Sequence, residues 1–254
     1  MKKEFVDVIY LTWFKPFIRN FAALYYSTMA VSGKTVTINI VLFALAVTAL
    51  GIALLRMSSK KPLRTLPYIG NWTLDSTKVD GKYKVDTVYH KVLDFKLTDQ
   101  FGQTVTLDTF KNKVFIANFF FARCPGICKR MNNLLETATV KFKGNTAVKF
   151  VSYTVDPIHD TVSVLLDYAK MHDAVPYQWY FLTGDKNAIY TLARKSYYAA
   201  VDDSAGGNFV HTQNMALVDM KGHIRGIYSG TDSVEVNKMV IDINLLLQEE
   251  VQPK

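Results

Sequence analysis

Cysteine is scarce in this chain of 254 residues, which contains only Cys124 and Cys128. Cysteines four positions apart cannot cross-link distant parts of a fold, so a scaffold built on disulfides is excluded. A structural zinc site needs four protein ligands, and these two cysteines with five scattered histidines make zinc a weak candidate. The pair therefore indicates chemistry rather than scaffolding.

Acidic residues are scarce at the N-terminal end. Residues 1–64 hold nine Lys or Arg and two acids, whereas residues 65–254 are nearly balanced, with 21 basic and 20 acidic side chains. Basic residues that flank an apolar run suit anionic lipid headgroups better than nucleic-acid phosphates, so nucleic-acid binding is excluded. The hydrophobic share of 49% is enough to build a sizeable core.

Charge is missing altogether from residues 36–55, a length that spans roughly 30 Å as a helix and predicts a transmembrane anchor in membrane lipid. No cleavage site follows, which argues against a signal peptide. Residues 1–35 mix aromatic and basic side chains and are predicted to lie at the membrane interface or grip a partner, with an unstructured tail as the alternative. Four basic residues close behind the run, Arg56, Lys60, Lys61 and Arg64, outnumber Arg19 and Lys34 close before it, which alone would place the following domain in the cytoplasm.

The remaining chain divides into a linker and a domain. Residues 56–84 lack periodicity and are interpreted as the linker, so the domain is predicted over 85–254. Its pattern predicts an α/β fold around a mixed sheet. The predicted elements, in order, are a hairpin at 92–107, a buried strand at 114–121, a helix at 129–142, a strand at 148–155, a helix at 161–171, a strand at 177–182, a helix from Asp185 to Lys195, a hairpin around Lys221-Gly222 and a helix at 233–248 that Asp232 and Glu235 cap.

The two cysteines belong to the sequence FFFARCPGICKRM, with Cys124 after a predicted buried strand and Cys128 near the start of the next helix. A helix N-terminus stabilises a thiolate, and Arg123, Lys129 and Arg130 add positive charge. We therefore predict that both sulfurs ionise more readily than a free thiol. The alternative, two buried structural cysteines, is disfavoured because a Pro-Gly loop at a strand end is exposed.

Two thiolates are soft ligands that select Cu(I), and one imidazole would complete a three-coordinate site that also accepts Cu(II). Spacing favours His211, which follows the flexible stretch DDSAGGNF at 202–209 and begins a strand, but it leaves the other histidines open. His90 and His172 are expected at the surface, His159 lies at a helix entry, and His223 follows a tight turn.

Four separated segments give the chain a family resemblance: FFFARCPGIC, YTVDPIHDT, WYFLTGD and GGNFVHTQNMALVD. In this order, across residues 85–250, they resemble the Sco/SenC family, copper proteins associated with assembly of the binuclear copper centre of cytochrome c oxidase. The resemblance implies a thioredoxin-like fold with an N-terminal hairpin, preceded by one transmembrane helix. It also implies Cys124, Cys128 and His211 as copper ligands. Asp156 and Asp160 match family acids that we interpret mainly as turn and helix-cap residues.

The implied function is a membrane-anchored copper metallochaperone whose partner is the copper-bearing subunit of cytochrome c oxidase, with other respiratory-complex proteins as further partners. The resemblance places the domain in the periplasm or the mitochondrial intermembrane space, contrary to the charge count. One departure is Lys129, since the family usually has proline directly after the second cysteine. That change leaves the ligands in place but alters the surroundings of the thiols.

Three other functions compete with copper delivery. A thiol-disulfide oxidoreductase would use Cys124 and Cys128 as a redox-active pair on the apo-oxidase, although redox thioredoxins space their cysteines as C-x-x-C. A thiol peroxidase is disfavoured, because its pattern has threonine three residues before the reactive cysteine, where this chain has Phe121. A non-catalytic membrane subunit with a vestigial site is disfavoured by the intact cysteine pair and His211.

Overall fold

The computed structural model describes residues 33–58, 65–199, 201–202, 209–210 and 212–251. Most of the predicted interfacial segment 1–35, residues 59–64 of the predicted linker and His211 lie outside these residues. The chain divides into two compact units, Met1–Pro62 and Leu63–Lys254.

Helix α1, Gly33–Ser58, is the described element of the first unit and contains the apolar run of 36–55. Across the described stretches of the chain, we find no helix whose length and apolar character would suffice to cross a membrane. The transmembrane role predicted for 36–55 is not confirmed.

The second unit contains the remaining elements, which are grouped around one large sheet. The strands are β1 Trp72–Val79, β2 Lys82–Tyr89, β3 Lys96–Asp99, β4 Thr104–Thr106, β5 Val114–Phe120, β6 Val148–Thr154, β7 Trp179–Thr183, β8 Val201–Asp202, β9 Phe209–Val210, β10 Asn214–Val218 and β11 Ile224–Ser229. The helices are a 3-10 turn at Leu107–Phe110, α2 Ile127–Lys141, α3 Val162–Met171, α4 Lys186–Tyr197 and α5 Ser233–Val251. The alternation of strand and helix predicted from the sequence is confirmed.

The large sheet has seven strands in the order β11-β10-β5-β6-β7-β3-β4. Strands β5, β6 and β7 are parallel, while β10 pairs with β5 and β3 pairs with β7 in antiparallel fashion. Two right-handed crossovers through helices are the usual way to connect such parallel strands. The sheet is therefore mixed, as predicted.

Strand β5 is buried along its whole length because both faces of the sheet are covered. Val114, Ile116 and Phe120 enter one core cluster with residues of α2, α3 and α5, whereas Phe115 and Phe119 enter a second cluster with residues of α4. Side chains of a strand alternate between its faces, so a continuous apolar run marks a strand that is covered twice. This central strand leads directly into the cysteine loop.

The predicted linker needs correction, because residues 72–89 form an antiparallel hairpin of β1 and β2. Leu66 is buried, and Ile69 forms a β-bridge with Ile224. Polar and apolar residues in this stretch do not alternate cleanly, since both strands are largely exposed. Their pairing is set by the Asp80-Gly81 turn, where both residues have positive φ.

Candidate functional site

The cysteine loop lies at the carboxyl end of β5, in the position that the sequence predicts. Phe121 follows the strand, the amide of Cys124 donates to the Phe121 carbonyl at 3.2 Å, and Gly126 caps α2 without a side-chain hydrogen bond. Cys128 is the second residue of α2. Both cysteines are free thiols. The loop and the helix start thus bring the two sulfurs to the same end of the sheet.

The environments of the two thiols differ. Cys128 is buried and belongs to a core cluster with Phe120 and Tyr168, whereas Cys124 is half-buried. The backbone amide of Cys128 donates to the sulfur of Cys124 at 3.4 Å. Cys124 therefore faces both solvent and the first turn of α2.

The prediction that both sulfurs ionise readily is wrong for Cys128. Burial, and then the hydrogen-bonded neighbour Cys124, raise the pKa of the Cys128 thiol to about 12, although a backbone hydrogen bond at Phe121 acts in the opposite direction. The free-energy cost of removing the thiolate from water is larger than the stabilisation that the helix N-terminus gives it. Charge near a thiol in the sequence cannot reveal this, because burial depends on the packed core.

Asp160 fixes the start of the cysteine loop. Its buried carboxylate accepts hydrogen bonds from the amide of Ala122, at 3.0 Å, and from the hydroxyl of Thr154 at the end of β6. Burial raises the pKa of Asp160, and the hydrogen bonds from Thr154 and Ala122 act against that rise. The side chain thus ties the loop after β5 to the end of the neighbouring parallel strand.

Asp156 holds the same loop through Arg123. Arg123 donates from Nε and Nη2 to Asp156 Oδ2, at 3.0 and 2.8 Å, and its Nη2 also lies 2.8 Å from His159 Nδ1. His159 Nδ1 lies 2.8 Å from the other Asp156 oxygen. Asp156 and Asp160 do form a turn, since the Asp156 carbonyl accepts from the His159 and Asp160 amides, but the expected helix-cap role is wrong, since Thr161 is the N-cap of α3. Sequence reasoning missed their contact with the cysteine loop, although the VDPIHDT motif singled them out.

We expect the Asp156 interaction to give a pH-dependent contribution to stability. Burial alone would raise the pKa of Asp156, but hydrogen bonds from His159 and Arg123 outweigh it and lower that pKa. A carboxyl group with a lowered pKa in the folded state stabilises above its unfolded pKa of about 4, and the contribution is lost as the pH falls through the folded value. Asp156→Asn should lower the free energy of unfolding at neutral pH by about 1–2 kcal/mol, because the Arg123 partner is largely exposed.

Urea unfolding of wild type and Asp156→Asn, at neutral pH and at about pH 3, measures this contribution. The difference between the two proteins should shrink at the acidic pH. Asp167→Asn is the matched control, since its ion pair with Lys170 is exposed on both sides. A difference that stays constant across the pH range would contradict the assigned role.

A buried chain of hydrogen bonds runs beneath the cysteines. Trp179 donates to Ser152, Ser152 to Asn118, Asn118 to Asn132, and Asn132 to the Tyr168 hydroxyl, over distances of 2.6 to 3.0 Å. Burial raises the pKa of Tyr168 to about 12, and both cysteines add to the rise. The chain connects β7, β6, β5, α2 and α3, so it holds Tyr168 in the core cluster that contains Cys128.

His211 lies outside the described residues, but the residues that follow it lie near the start of α2 and the carboxyl end of β5. Gly230 donates its amide to the Gln213 carbonyl at 2.7 Å. A Cβ atom at Gly230 would meet Met131 of α2 at 2.6 Å, so this turn packs tightly against the helix one turn after Cys128. Ala216 of β10 pairs with Ala117 in antiparallel register, and the chain before β10 therefore approaches from the carboxyl end of β5.

The other histidines have structural partners. His90 Nε2 lies 3.0 Å from the Ser196 carbonyl, and His223 Nδ1 lies 3.1 Å from Asp219. His172 is buried against Tyr168 and Trp179, with Nδ1 3.1 Å from Glu136. The expectation that His90 and His172 lie at the surface is wrong, since the first is half-buried and the second is buried. Within the described ranges, no group of three or more His, Cys, Asp or Glu side chains could hold a metal ion.

The chain is similar to known proteins in sequence and in fold. The profile of the SCO1/SenC family matches residues 85–247. A SCO1 protein homolog of Bacillus subtilis is 28% identical over 166 residues, which are 64% of this chain and 86% of the relative. Among solved structures, BsSco is described with a disulfide switch and as a member of the Sco family of cytochrome c oxidase assembly proteins. It is 28% identical with a TM-score of 0.55, over 62% of this chain and 93% of its own.

A third relative, ScoI of Arabidopsis thaliana, was solved with copper bound. It is 26% identical to this chain with a TM-score of 0.51, over 61% of this chain and 98% of its own. The thioredoxin-like α/β fold expected from the sequence is confirmed by these neighbours. Because the family profile covers more than half of the residues, this chain belongs to the SCO1/SenC family.

Proposed function

We propose that this protein carries copper on Cys124, Cys128 and His211 and delivers it to the copper-bearing subunit of cytochrome c oxidase during assembly. The observation that carries the proposal is the pair of free thiols at the carboxyl end of the central strand, one half-buried and one buried. Relatives described with bound copper and as oxidase assembly proteins support it. The periplasmic or intermembrane-space location is part of the proposal and rests on the family resemblance; protease protection of intact membranes tests it.

The two sulfurs suit copper as a cargo. Thiolates prefer Cu(I), and binding requires that both thiols lose their protons. Because burial raises the pKa of Cys128, copper must displace a firmly held proton there, whereas half-buried Cys124 is accessible to an incoming donor. We infer that Cys124 meets the partner first. The imidazole of His211 would add the third ligand.

Copper stoichiometry and affinity of the full chain, reduced and under anaerobic conditions, test the proposal. One Cu(I) per chain is expected, and both Cys124→Ser and His211→Ala should weaken the affinity by at least about a hundredfold, since loss of outer-shell partners alone costs 10- to 100-fold. Competition with a chromogenic Cu(I) chelator measures these affinities. His159→Ala is the matched control, because its exposed ring contacts Arg123 beside the loop. Loss of copper in this control but not in His211→Ala would reassign the third ligand.

A thiol-disulfide oxidoreductase that acts on the apo-oxidase cysteines is the second candidate, and the 3.4 Å contact between the Cys128 amide and the Cys124 sulfur favours it. In this reaction the two thiols of the reduced pair would form a disulfide, while the partner's disulfide takes up two electrons and two protons and becomes two thiols. BsSco is described with a disulfide switch. If wild type binds no copper yet reduces a protein disulfide, this function replaces copper delivery.

A further inference from the structure

A surface groove of about 380 Å³ adjoins the cysteine loop. Its lining residues come from the loop, the first two turns of α2 and the start of α5, namely Gly126, Lys129, Arg130, Asn133, Leu134 and Ser233. Gly126 lies between the two cysteines in the sequence, so part of the groove wall belongs to the cysteine loop. A molecule bound in the groove would therefore contact that loop.

The charge of the groove is positive on the side of α2. Lys129 and Arg130 are exposed, and neither forms an ion pair with a residue that the structure describes. The first turn of α2 contains no acidic residue, and the positive end of its dipole points the same way. The acids nearest along α5 are Asp232, which accepts from the Val234 amide, and half-buried Glu235. The two basic side chains are therefore available to an anionic partner.

Two exposed aliphatic residues adjoin the lining residues in the sequence. Ile127, which follows Gly126, is 47% exposed, and Val234, which follows Ser233, is 71% exposed. Together with the basic side chains they offer a partner both apolar contact area and charge. A groove that combines both features fits an extended segment that carries acidic and aliphatic side chains.

We propose that this groove docks an acidic segment of the protein that exchanges copper or electrons with Cys124. The inference rests on the proposed function, since that exchange requires the partner to contact the cysteine loop. Lys129 and Arg130 would orient the segment and speed its approach, because charges at the edge of an interface act mainly on association and register. The concave shape and the contribution of Gly126 of the cysteine loop to its wall favour a protein segment over a lipid surface.

Fluorescence anisotropy of the full chain with a labelled synthetic peptide tests the proposal. The peptide carries a pair of cysteines flanked by glutamates and leucines, and a matched peptide has lysines in place of the glutamates. The acidic peptide should bind, and Lys129→Glu/Arg130→Glu should weaken that binding by about tenfold or more. The affinity for wild type should fall with rising salt, and this salt dependence should be lost in the double variant.

The control variant, Lys111→Glu/Lys195→Glu, changes the net charge equally at exposed positions outside the groove. It should bind the acidic peptide as tightly as wild type does. Equal binding of both peptides, equal losses in both variants, or binding to phosphatidylglycerol vesicles without binding to the peptide would overturn the proposal. Copper stoichiometry of wild type and of the Lys111→Glu/Lys195→Glu control is measured in the same preparations, so failure of docking and failure of copper binding are measured separately.

Discussion

Arg225→Leu is expected to lower the free energy of unfolding by about 3–5 kcal/mol, because it removes a buried cation from between two carboxylates. The Arg225 side chain is 2% exposed and forms ion pairs with Asp219 at 3.3 Å and Glu249 at 2.8 Å. Burial by itself would lower the pKa of Arg225, but Glu249 and Asp219 outweigh it and raise that pKa. The leucine would fill the volume but leave Glu249 without this ion pair and Asp219 with only its contacts to Lys221 and His223.

The same guanidinium also anchors the chain before the hairpin. It donates to the carbonyls of Leu66, at 2.6 Å, and Pro67, at 3.2 Å, and lies 4.3 Å from the centre of the Tyr68 ring. These contacts join the first described residues of the second unit to β11 and α5. Loss of the arginine should therefore release residues 66–68 as well as destabilise the core.

Urea unfolding of the full chain measures the loss in Arg225→Leu. Arg194→Leu is the control, since Arg194 is exposed on α4, and it should change the free energy of unfolding by less than about 1 kcal/mol. Hydrogen exchange at the amide of Ile69, which donates to the Ile224 carbonyl at 2.8 Å directly after this segment, should rise in Arg225→Leu only. Equal stabilities of the two variants would show that the buried cluster contributes little.

Cys128 is expected to react with iodoacetamide about a hundredfold more slowly than free cysteine at pH 7.5, because its pKa of about 12 leaves very little thiolate. Relative to a free thiol of pKa about 8.5, the thiolate fraction falls by roughly three thousandfold. A more basic thiolate is also more nucleophilic, which raises the rate roughly fortyfold and offsets part of that loss. Burial of the side chain slows the reaction further.

Mass spectrometry of the reduced full chain, sampled over time, identifies which cysteine carries the label. As long as the pH stays below the pKa of Cys128, each increase of one pH unit should raise the rate at Cys128 about tenfold, since the thiolate fraction rises in that proportion. The same time course in urea, where the core is unfolded, should restore the rate of a free thiol. Alkylation of native Cys128 at the rate of free cysteine would show that its thiol is neither buried nor raised in pKa.

The order of the elements follows from local patterns. The apolar run at 114–121 predicts a strand that is covered on both faces, and β5 is buried on both. Asp185 predicts the start of a helix, and its carboxylate accepts from the Ala188 amide at 2.8 Å. The hairpin at 72–89 escaped prediction because its strands are largely exposed, and a short alternation such as Tyr83 and Val85 between charged residues is a weak signal without a buried face.

The candidate site divides in the same way between sequence and structure. The C-x-x-x-C spacing after a predicted buried strand was sufficient to place Cys124 and Cys128 at a strand-to-helix junction. The sequence by itself determined the α/β order, the cysteine pair and the family resemblance, because spacing along the chain sets which residues share a strand face or a helix turn. Only the tertiary structure decided that Asp156 and Asp160 brace the cysteine loop, that His172 is buried and that the pKa of Cys128 is raised. These properties depend on which distant elements pack together, and a residue's burial and partners are set by that packing.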